Sequence, residues 1–238
     1  MKVNPVFCAL DVVDSDQALD LAKSLAGMVG GIKLGLEFFT ANGPAGVRAL
    51  AAADLPLFLD LKFHDIPNTV AGAIKGIAPL APKMTTVHAQ GGIAMMRAAV
   101  DSAAESAARL GLVAPRILAV TILTSLGQAE MDELGYARVL GDQVKRLADL
   151  AQRAGVGGLV CSPHEVEALR VQCGADFKLV VPGIRPDWAA ANDQKRVLTP
   201  RQAMAKGADL LVIGRPITAA TNPAAAAARI LDELGHDA

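Results

Sequence analysis

Residues 57–69 read LFLDLKFHDIPNT, and the first seven of them alternate between two faces. Side chains that alternate in this way leave a β-strand on opposite sides, so one face of this strand is apolar throughout. The other face carries Asp60 and Lys62 near the end of the strand, and Asp65 follows in the predicted loop. An exposed edge strand with a surface ion pair is the alternative. Phe58 on the charged face argues against it, because a large apolar side chain there indicates burial.

Seven further apolar segments are similar in length, and helical stretches separate them. The eight strand candidates are 6–12, 31–36, 57–63, 84–89, 116–123, 157–162, 177–183 and 209–215. Parallel strands need crossover helices, and eight strand–helix units in 238 residues are typical of a (β/α)8 TIM barrel. The sequence therefore predicts an α/β protein with a single barrel domain over 1–238. A doubly wound open sheet is the alternative, but the turn LDVVDSDQ after the first strand lacks the glycine-rich fingerprint of a dinucleotide-binding fold.

Helix starts are indicated by side-chain oxygens that cap free amides and by proline at the first helical position. Residues 162–165 (SPHE) and 199–202 (TPRQ) have the pattern of a capping box, and Asn222 precedes Pro223 and the alanine-rich last helix. Glycines stand where three of the preceding helices are expected to end: Gly155, Gly174 and Gly207.

The composition limits the classes of partner. Hydrophobic residues make up 52% of the chain and charged residues 20%, which supports a large core and gives no indication of disorder. A net charge of −1 removes the attraction on which nonspecific nucleic-acid binding depends. One Trp, one Tyr and 6 Phe also provide few rings for stacking on bases. No polymeric nucleic acid is expected as a partner, whereas an anionic small molecule needs only a local cluster of Lys and Arg.

The N-terminal segment MKVNPVFCALDVVDS reaches Asp11 and Asp14 too early to contain the apolar core of a signal peptide. No later run approaches the ~18 apolar residues of a membrane span. We therefore expect a cytoplasmic protein with no membrane partner. Cys8, Cys161 and Cys173 lie far apart without CxxC spacing, which predicts reduced, buried thiols rather than a disulfide framework or a zinc site.

Polar side chains collect at the C-terminal ends of the predicted strands, the end where active sites of such barrels form. In strand order they are Asp11, Lys33, the group Asp60, Lys62 and Asp65, then His88, Thr124 with Ser125, Pro182 to Arg185, and Gly214 with Arg215. Carboxylates and ammonium groups thus alternate on one side of the barrel mouth, and two arginines stand on the other.

Several of these residues also have an ordinary structural explanation. Asp11 is suited to capping the first helix, and Lys33 taken alone has the features of a surface lysine. His88 at a strand end is most simply satisfied by local partners, so we expect a structural or peripheral role for it. Arg215 gives a stronger indication, because barrels frequently bind phosphate with the loops after strands seven and eight, and a guanidinium matches phosphate geometry.

The segment 182–199 is long for a loop between a strand and a helix, whose usual length is roughly 2–6 residues. Long loops in compact domains often close over an active site. Arg185 and Gln194 belong to this segment, and both of its ends lie beside the proposed phosphate site. A surface loop without a function is the alternative.

The motif DLKFHDIPNT at 60–69 resembles the signature of the orotidine 5′-monophosphate decarboxylase family, including its Ile-Pro-Asn-Thr sequence. Other blocks resemble that family in order along the chain: ALD at 9–11, IKLG at 32–35, TILTS at 121–125, VPGIRP at 181–186, DQKR at 193–196 and IGRPI at 213–217. Their spacing suits the shorter bacterial form. The Asp-x-Lys-x-x-Asp pattern alone is less specific, because hexulose-phosphate synthases share it.

This resemblance implies a reaction of de novo pyrimidine biosynthesis, in which orotidine 5′-monophosphate loses carbon dioxide and gives UMP with neither a cofactor nor a metal. It implies that Lys62 stabilises the carbanion developing on the pyrimidine ring and then protonates it. Asp60 is expected to face the substrate carboxylate, so that repulsion is relieved as that charge leaves. Lys33 and Asp65 complete an array of alternating charges that sum to zero.

The resemblance further implies a homodimer with shared active sites, to which Asp65 and Thr69 come from the neighbouring subunit. The remaining substrate contacts are expected from Asp11 at a ribose hydroxyl, Thr124 or Ser125 at the base, and Arg185, Gln194, Gly214 and Arg215 at the phosphate, together with Ile66 and Pro182.

Two other functions are compatible with the sequence. A hexulose-phosphate synthase, or another phosphate-binding aldolase or epimerase, would use the same carboxylates to hold Mg²⁺ beside an enediolate, and metal dependence would identify it. A barrel that serves as a nucleotide sensor would bind UMP without turnover.

Overall fold

A closed barrel of parallel strands forms the centre of the computed structural model, which describes residues 4–189 and 198–235. The strands are β1 (Val6–Ala9), β2 (Gly31–Leu34), β3 (Leu57–Phe63), β4 (Met84–His88), β5 (Arg116–Val120), β6 (Gly158–Val160), β7 (Lys178–Pro182) and β8 (Leu210–Ile213). Each strand pairs with the next one in the chain, and β8 pairs with β1. The predicted (β/α)8 barrel is confirmed, and every strand lies within the range predicted for it.

Helices follow the strands and cover the outside of the barrel. They are α1 (Ser15–Ser24), α2 (Leu36–Ala49), α3 (Pro67–Ile77), α4 (Gly92–Leu110), α5 (Gln128–Glu133), α6 (Leu140–Ala154), α7 (Val166–Cys173), α8 (Pro200–Ala205), α9 (Arg215–Thr218) and α10 (Pro223–Glu233). Within α2 the helical path breaks at Gly43, whose φ of 58° suits glycine, and Pro44 starts the next helical segment. In the part of the chain that the structure describes, no helix has the length and apolar character needed to cross a membrane.

Two of the three predicted helix starts are confirmed. Thr199 Oγ1 accepts a hydrogen bond from the Gln202 amide, and Gln202 Oε1 accepts one from the Thr199 amide. Asn222 Oδ1 caps α10 through the Ala225 amide. The start predicted at Ser162 is wrong. The Ser162 amide donates a hydrogen bond to Glu165 Oε2 within a turn, and α7 begins only at Val166.

An apolar cluster fills the inside of the barrel. Its buried members alternate along the strands with residues that face the helices, and they are Phe7, Ala9, Phe58, Met84, Leu118, Val180 and Val212. Gly31 makes room for this cluster, since a Cβ there would lie 2.3 Å from the ring of Phe7. The cluster closes the barrel and forms an apolar floor beneath the C-terminal ends of the strands.

An ionic cluster lies at the opposite, N-terminal end of β7 and β8. Asp209 accepts hydrogen bonds from Lys178 Nζ at 2.8 Å, from the Leu179 amide at 2.8 Å and from Arg170. Arg170 also donates two hydrogen bonds to the carbonyl of Gly207. Burial raises the pKa of Asp209, but the hydrogen bonds from Lys178, Leu179 and Arg170 outweigh it and leave the pKa below its ordinary value. This cluster ties α7 to the last two strands.

Candidate active site

A cavity of about 290 Å³ opens at the C-terminal ends of the strands. Most of the predicted site residues line it, namely Asp11, Lys33, Asp60, Lys62, Thr124, Pro182, Arg185, Gly214 and Arg215. The rest of the lining is largely apolar and includes Ala9, Phe58, Val120, Ile122, Val160 and Val212. A few charged groups therefore converge over an apolar floor, which is the usual character of a small-molecule site.

Four charged side chains in this cavity alternate in sign. Lys62 Nζ lies 2.7 Å from Asp60 Oδ2, Lys33 Nζ lies 3.8 Å from the same oxygen, and Lys33 Nζ lies 3.3 Å from Asp11 Oδ1. The side chain of Asp60 is only 11% exposed and that of Asp11 is 58% exposed, so the array runs from the interior to the rim. The register explains it, because Ala9 pairs with Lys33 and thereby brings Asp11 next to that lysine.

Lys62 reaches the cavity through a bulge. The register between β3 and β4 shifts between Leu59 and Phe63, and Lys62 adopts a φ of 50°. The left-handed region is unfavourable for any residue with a Cβ, and such backbone outliers concentrate at functional sites. The regular alternation predicted for 57–63 is therefore wrong at Lys62, although its side chain lies beside that of Asp60 as expected.

Thr86 on β4 is a site residue that the sequence analysis missed. Its hydroxyl donates a hydrogen bond to Asp60 Oδ1 at 2.8 Å and accepts one from the Lys62 amide at 2.8 Å. The side chain is fully buried. The available signal was alternation within β4, since Thr86 shares the inner face with Met84 and occupies the strand next to Asp60.

The predicted residues beyond β3 lie outside the charged cavity. Asp65 and Ile66 line a separate shallow depression with His64, and Thr69 is exposed in the first turn of α3. Ile66 is 65% exposed. Ser125 is likewise exposed, next to Thr124 at the cavity rim.

The loop after β7 is joined to the start of α8 at its base. The Arg185 amide donates a hydrogen bond to the Leu198 carbonyl at 3.0 Å, and Ile184 forms an isolated bridge with Leu198. Arg185 is 7% exposed, so its guanidinium belongs to the interior of the site. Gln194, predicted to bind phosphate, lies outside the described residues.

His88 lies at the end of β4 beside the site and does not line the cavity. Its ring centroid is 5.4 Å from that of His64, and its buried Nδ1 has no hydrogen-bond partner among residues 4–189 and 198–235. Burial, followed by His64 and Lys62, lowers the pKa of His88, which favours a neutral imidazole at pH 7. A structural or peripheral role for His88 stays a prediction.

The buried cysteines are unsuited to nucleophilic chemistry. Burial raises the pKa of Cys8 to about 12, and it raises the pKa of Cys161 well above the ordinary value. Only the thiolate is reactive, so both groups stay inert thiols although Cys161 lines the cavity. Cys173 is also a free thiol but is only half-buried.

The donor set of the cavity suits an anion better than a metal ion. The structure, over the residues it describes, groups no three His, Cys, Asp or Glu side chains in a way that could hold a metal. Lysine ammonium groups already occupy the positions beside the Asp11 and Asp60 carboxylates where a cation would bind. Arg185 and Arg215 add two further positive groups to the same cavity.

Known proteins resemble this chain in sequence and in fold. The family model described as orotidine 5′-phosphate decarboxylase / HUMPS family matches residues 4–230. An orotidine 5′-phosphate decarboxylase of Paramagnetospirillum magneticum is 61% identical over 98% of this chain and 99% of its own, and one of Rhodospirillum rubrum is 55% identical over 98% and 95%. The crystal structure of orotidine 5′-phosphate decarboxylase from Lactobacillus acidophilus superposes with a TM-score of 0.83 at 37% identity, covering 97% of this chain and 98% of that one. Together these matches show that the chain belongs to the orotidine 5′-phosphate decarboxylase / HUMPS family.

Proposed function

We propose that this protein is a cytoplasmic enzyme of pyrimidine biosynthesis that decarboxylates orotidine 5′-monophosphate to UMP without a metal or cofactor. The observation that carries the proposal is the array of alternating charges from Asp11 through Lys33 and Asp60 to Lys62. Loss of carbon dioxide leaves an electron pair on a ring carbon with no conjugated carbonyl to receive it. A fixed ammonium group beside that carbon is therefore the main chemical requirement.

Lys62 meets this requirement in two ways. Its ammonium stabilises the developing carbanion, and the same group then delivers a proton to the ring carbon, so that it serves as general acid. The 2.7 Å contact with Asp60 holds the ammonium in place before the substrate binds. Lys33 lies 3.8 Å from the same carboxylate oxygen, so Asp60 lies between two ammonium groups, which favours its ionised form.

Asp60 is assigned to the substrate carboxylate. It is nearly buried, and a second negative group placed beside it raises the energy of the bound substrate. This repulsion disappears as carbon dioxide departs, which favours the transition state over the ground state. The apolar floor formed by Phe58, Val120 and Val160 excludes water and strengthens these electrostatic effects.

The remaining cavity residues are assigned to substrate binding. Arg185 and Arg215, with the backbone at Gly214 and Pro182, form the phosphate side of the cavity, and Gln194 is assigned to the same group. Asp11 at the exposed rim is suited to a ribose hydroxyl, and Thr124 or Ser125 to the base. These assignments follow the resemblance to the family, and the cavity lining supports those of Asp11, Thr124, Pro182, Arg185, Gly214 and Arg215.

We also propose a homodimer with shared sites. Asp65, Ile66 and Thr69 follow β3 directly and yet stay on the surface of their own chain. A loop of this kind can cross a two-fold axis and complete the partner's site. A partner subunit bound here would also cover the exposed side chain of Ile66.

The test is to incubate the purified protein with orotidine 5′-monophosphate in the presence of EDTA and to follow the change in pyrimidine absorbance. Turnover that EDTA does not affect is expected, with Lys62→Ala as the inactive control. Loss of activity in EDTA that returns with Mg²⁺ would instead favour a hexulose-phosphate synthase type of chemistry. Binding of UMP without any turnover would identify a nucleotide sensor.

A further inference from the structure

Thr86 connects the two residues on which the proposed chemistry depends. Its hydroxyl bonds to the side chain of Asp60 and to the backbone of Lys62, each at 2.8 Å, and it is fully buried. We infer that Thr86 is the positioning residue of the site, which fixes the orientation of the Asp60 carboxylate and the bulge that aims Lys62 into the cavity. This inference rests on the function proposed above.

The direction of the two hydrogen bonds follows from their chemistry. The Lys62 amide can only donate, so Thr86 Oγ1 accepts there and its single proton goes to Asp60 Oδ1. Oδ1 of Asp60 thereby accepts the hydrogen bond from Thr86. Oδ2 is the oxygen that contacts the ammonium groups of Lys62 at 2.7 Å and Lys33 at 3.8 Å. Thr86 thus orients the carboxylate and leaves one oxygen for the lysines.

The second bond stabilises an unfavourable backbone conformation. Lys62 has a φ of 50°, and regular pairing between β3 and β4 is interrupted between Leu59 and Phe63. A bulge leaves backbone groups without their ladder partners, and buried amides without partners are costly. The hydroxyl of Thr86 takes the place of the missing acceptor. Its loss would favour a return to regular strand geometry and move the Lys62 ammonium away from its position.

Thr85 provides a matched control on the same strand. It is equally buried, and its hydroxyl donates to the Leu59 carbonyl on β3 at 2.8 Å. Thr85 therefore has the same side chain as Thr86, lies on the same strand and donates a comparable hydrogen bond to β3. Because side chains alternate along β4, Thr85 faces the helices and does not line the cavity.

The experiment compares Thr86→Val, Thr86→Ser and Thr85→Val for kcat, KM, UMP affinity and Tm. Thr86→Val is expected to lower kcat by about 100-fold, as a small misplacement of reacting groups does, while UMP affinity stays within roughly threefold of wild type. Thr86→Ser keeps the hydroxyl and should recover most of kcat. Thr85→Val should lower Tm comparably and leave kcat within about twofold. Thr86→Ala replaces the valine variant if that variant does not fold.

Two outcomes overturn the inference. The first is a Thr86→Val enzyme that loses Tm as Thr85→Val does and keeps wild-type kcat, since Thr86 would then be only structural. The second is a crystal structure of Thr86→Val in which the φ of Lys62 and its contact with Asp60 are unchanged. This structural readout does not depend on turnover, so it still decides the matter if the wild-type protein proves inactive and the proposed function itself fails.

Discussion

Replacing Lys62 by alanine and by glycine separates its catalytic role from its backbone strain. Both variants lack the ammonium group and its 2.7 Å contact with Asp60, and in both Asp60 keeps its hydrogen bond from Thr86. They differ in their tolerance of the φ of 50° at this position. We expect both variants to fold and to bind UMP, to have almost no activity, and to differ in stability in favour of glycine.

The size of each effect follows from the geometry. A left-handed conformation costs a residue with a Cβ roughly 1–2 kcal/mol, and the greater freedom of glycine in the unfolded chain offsets about 0.5–1 kcal/mol of that. The glycine variant should therefore be more stable by about 0.5–1 kcal/mol, or about 1–4 °C in Tm for a protein of this size. Loss of a general acid costs about 10²–10⁴ in rate and loss of an electrostatic partner about 10²–10³. Because one group provides both, we expect a loss of at least about 10⁴ in kcat.

The assay combines denaturant unfolding of the two variants with measurement of UMP affinity and decarboxylation of orotidine 5′-monophosphate. An alanine variant more stable than the glycine variant would contradict the strained bulge. A tenth of wild-type kcat in either variant would contradict the assignment of Lys62 as proton donor. Loss of UMP binding in both would show that the ammonium acts mainly in binding.

Three further predictions concern the dimer, the phosphate and the far end of the barrel. Mixing inactive Asp65→Ala and Lys62→Ala subunits should restore some activity, because one site of the mixed dimer receives both intact residues. If activity does not recover although subunit exchange is demonstrated, the sites are not shared. Orotidine without its phosphate should react with a much lower kcat that phosphite dianion partly restores, and Arg215→Ala should weaken this rescue; a normal kcat with only a raised KM would refute it. Because the pKa of Asp209 is lowered in the folded protein, its carboxylate stabilises the fold above about pH 4, and this stabilisation is lost as the pH falls through the folded-state pKa. The unfolding free energy of Asp209→Asn should therefore fall less steeply below about pH 4 than that of wild type. Equal slopes would count against the ionic cluster.

The barrel was predictable because its strands are buried on both faces and appear as short apolar runs between helix signals. Of the residues predicted for the site, those near the ends of strands line the cavity, as Lys33, Asp60 and Arg215 do, and their roles stay predictions. For these residues the position along the chain is enough to predict that they lie close together, because the C-terminal ends of all parallel strands meet at the same end of the barrel.

Prediction did not extend to features that depend on contacts between strands. Asp11 lies next to Lys33 because of the register between β1 and β2, and spacing along the chain did not predict this contact. The place of Asp65 in the array stays a prediction. The bulge at Lys62 and the role of Thr86 depend on how β3 meets β4, and no local pattern in LFLDLKF or MTTVH encodes that shift. The late start of α7 has a local cause instead, since Glu165 Oε2 accepts a hydrogen bond from the Ser162 amide in a turn before the helix begins.

The seam between β1 and β8 has a consequence for biogenesis. Phe7 pairs with Val212, so the barrel closes through a contact between the two ends of the sequence. Such distant pairings form late, because the entropy lost on closing a long loop precedes any gain from the contact. Until β8 has been synthesised, the nascent sheet exposes two open edges that can pair with other chains. Synthesis halted before residue 210 should therefore yield an aggregation-prone product, and chaperone demand should fall sharply once the last strand has left the ribosome.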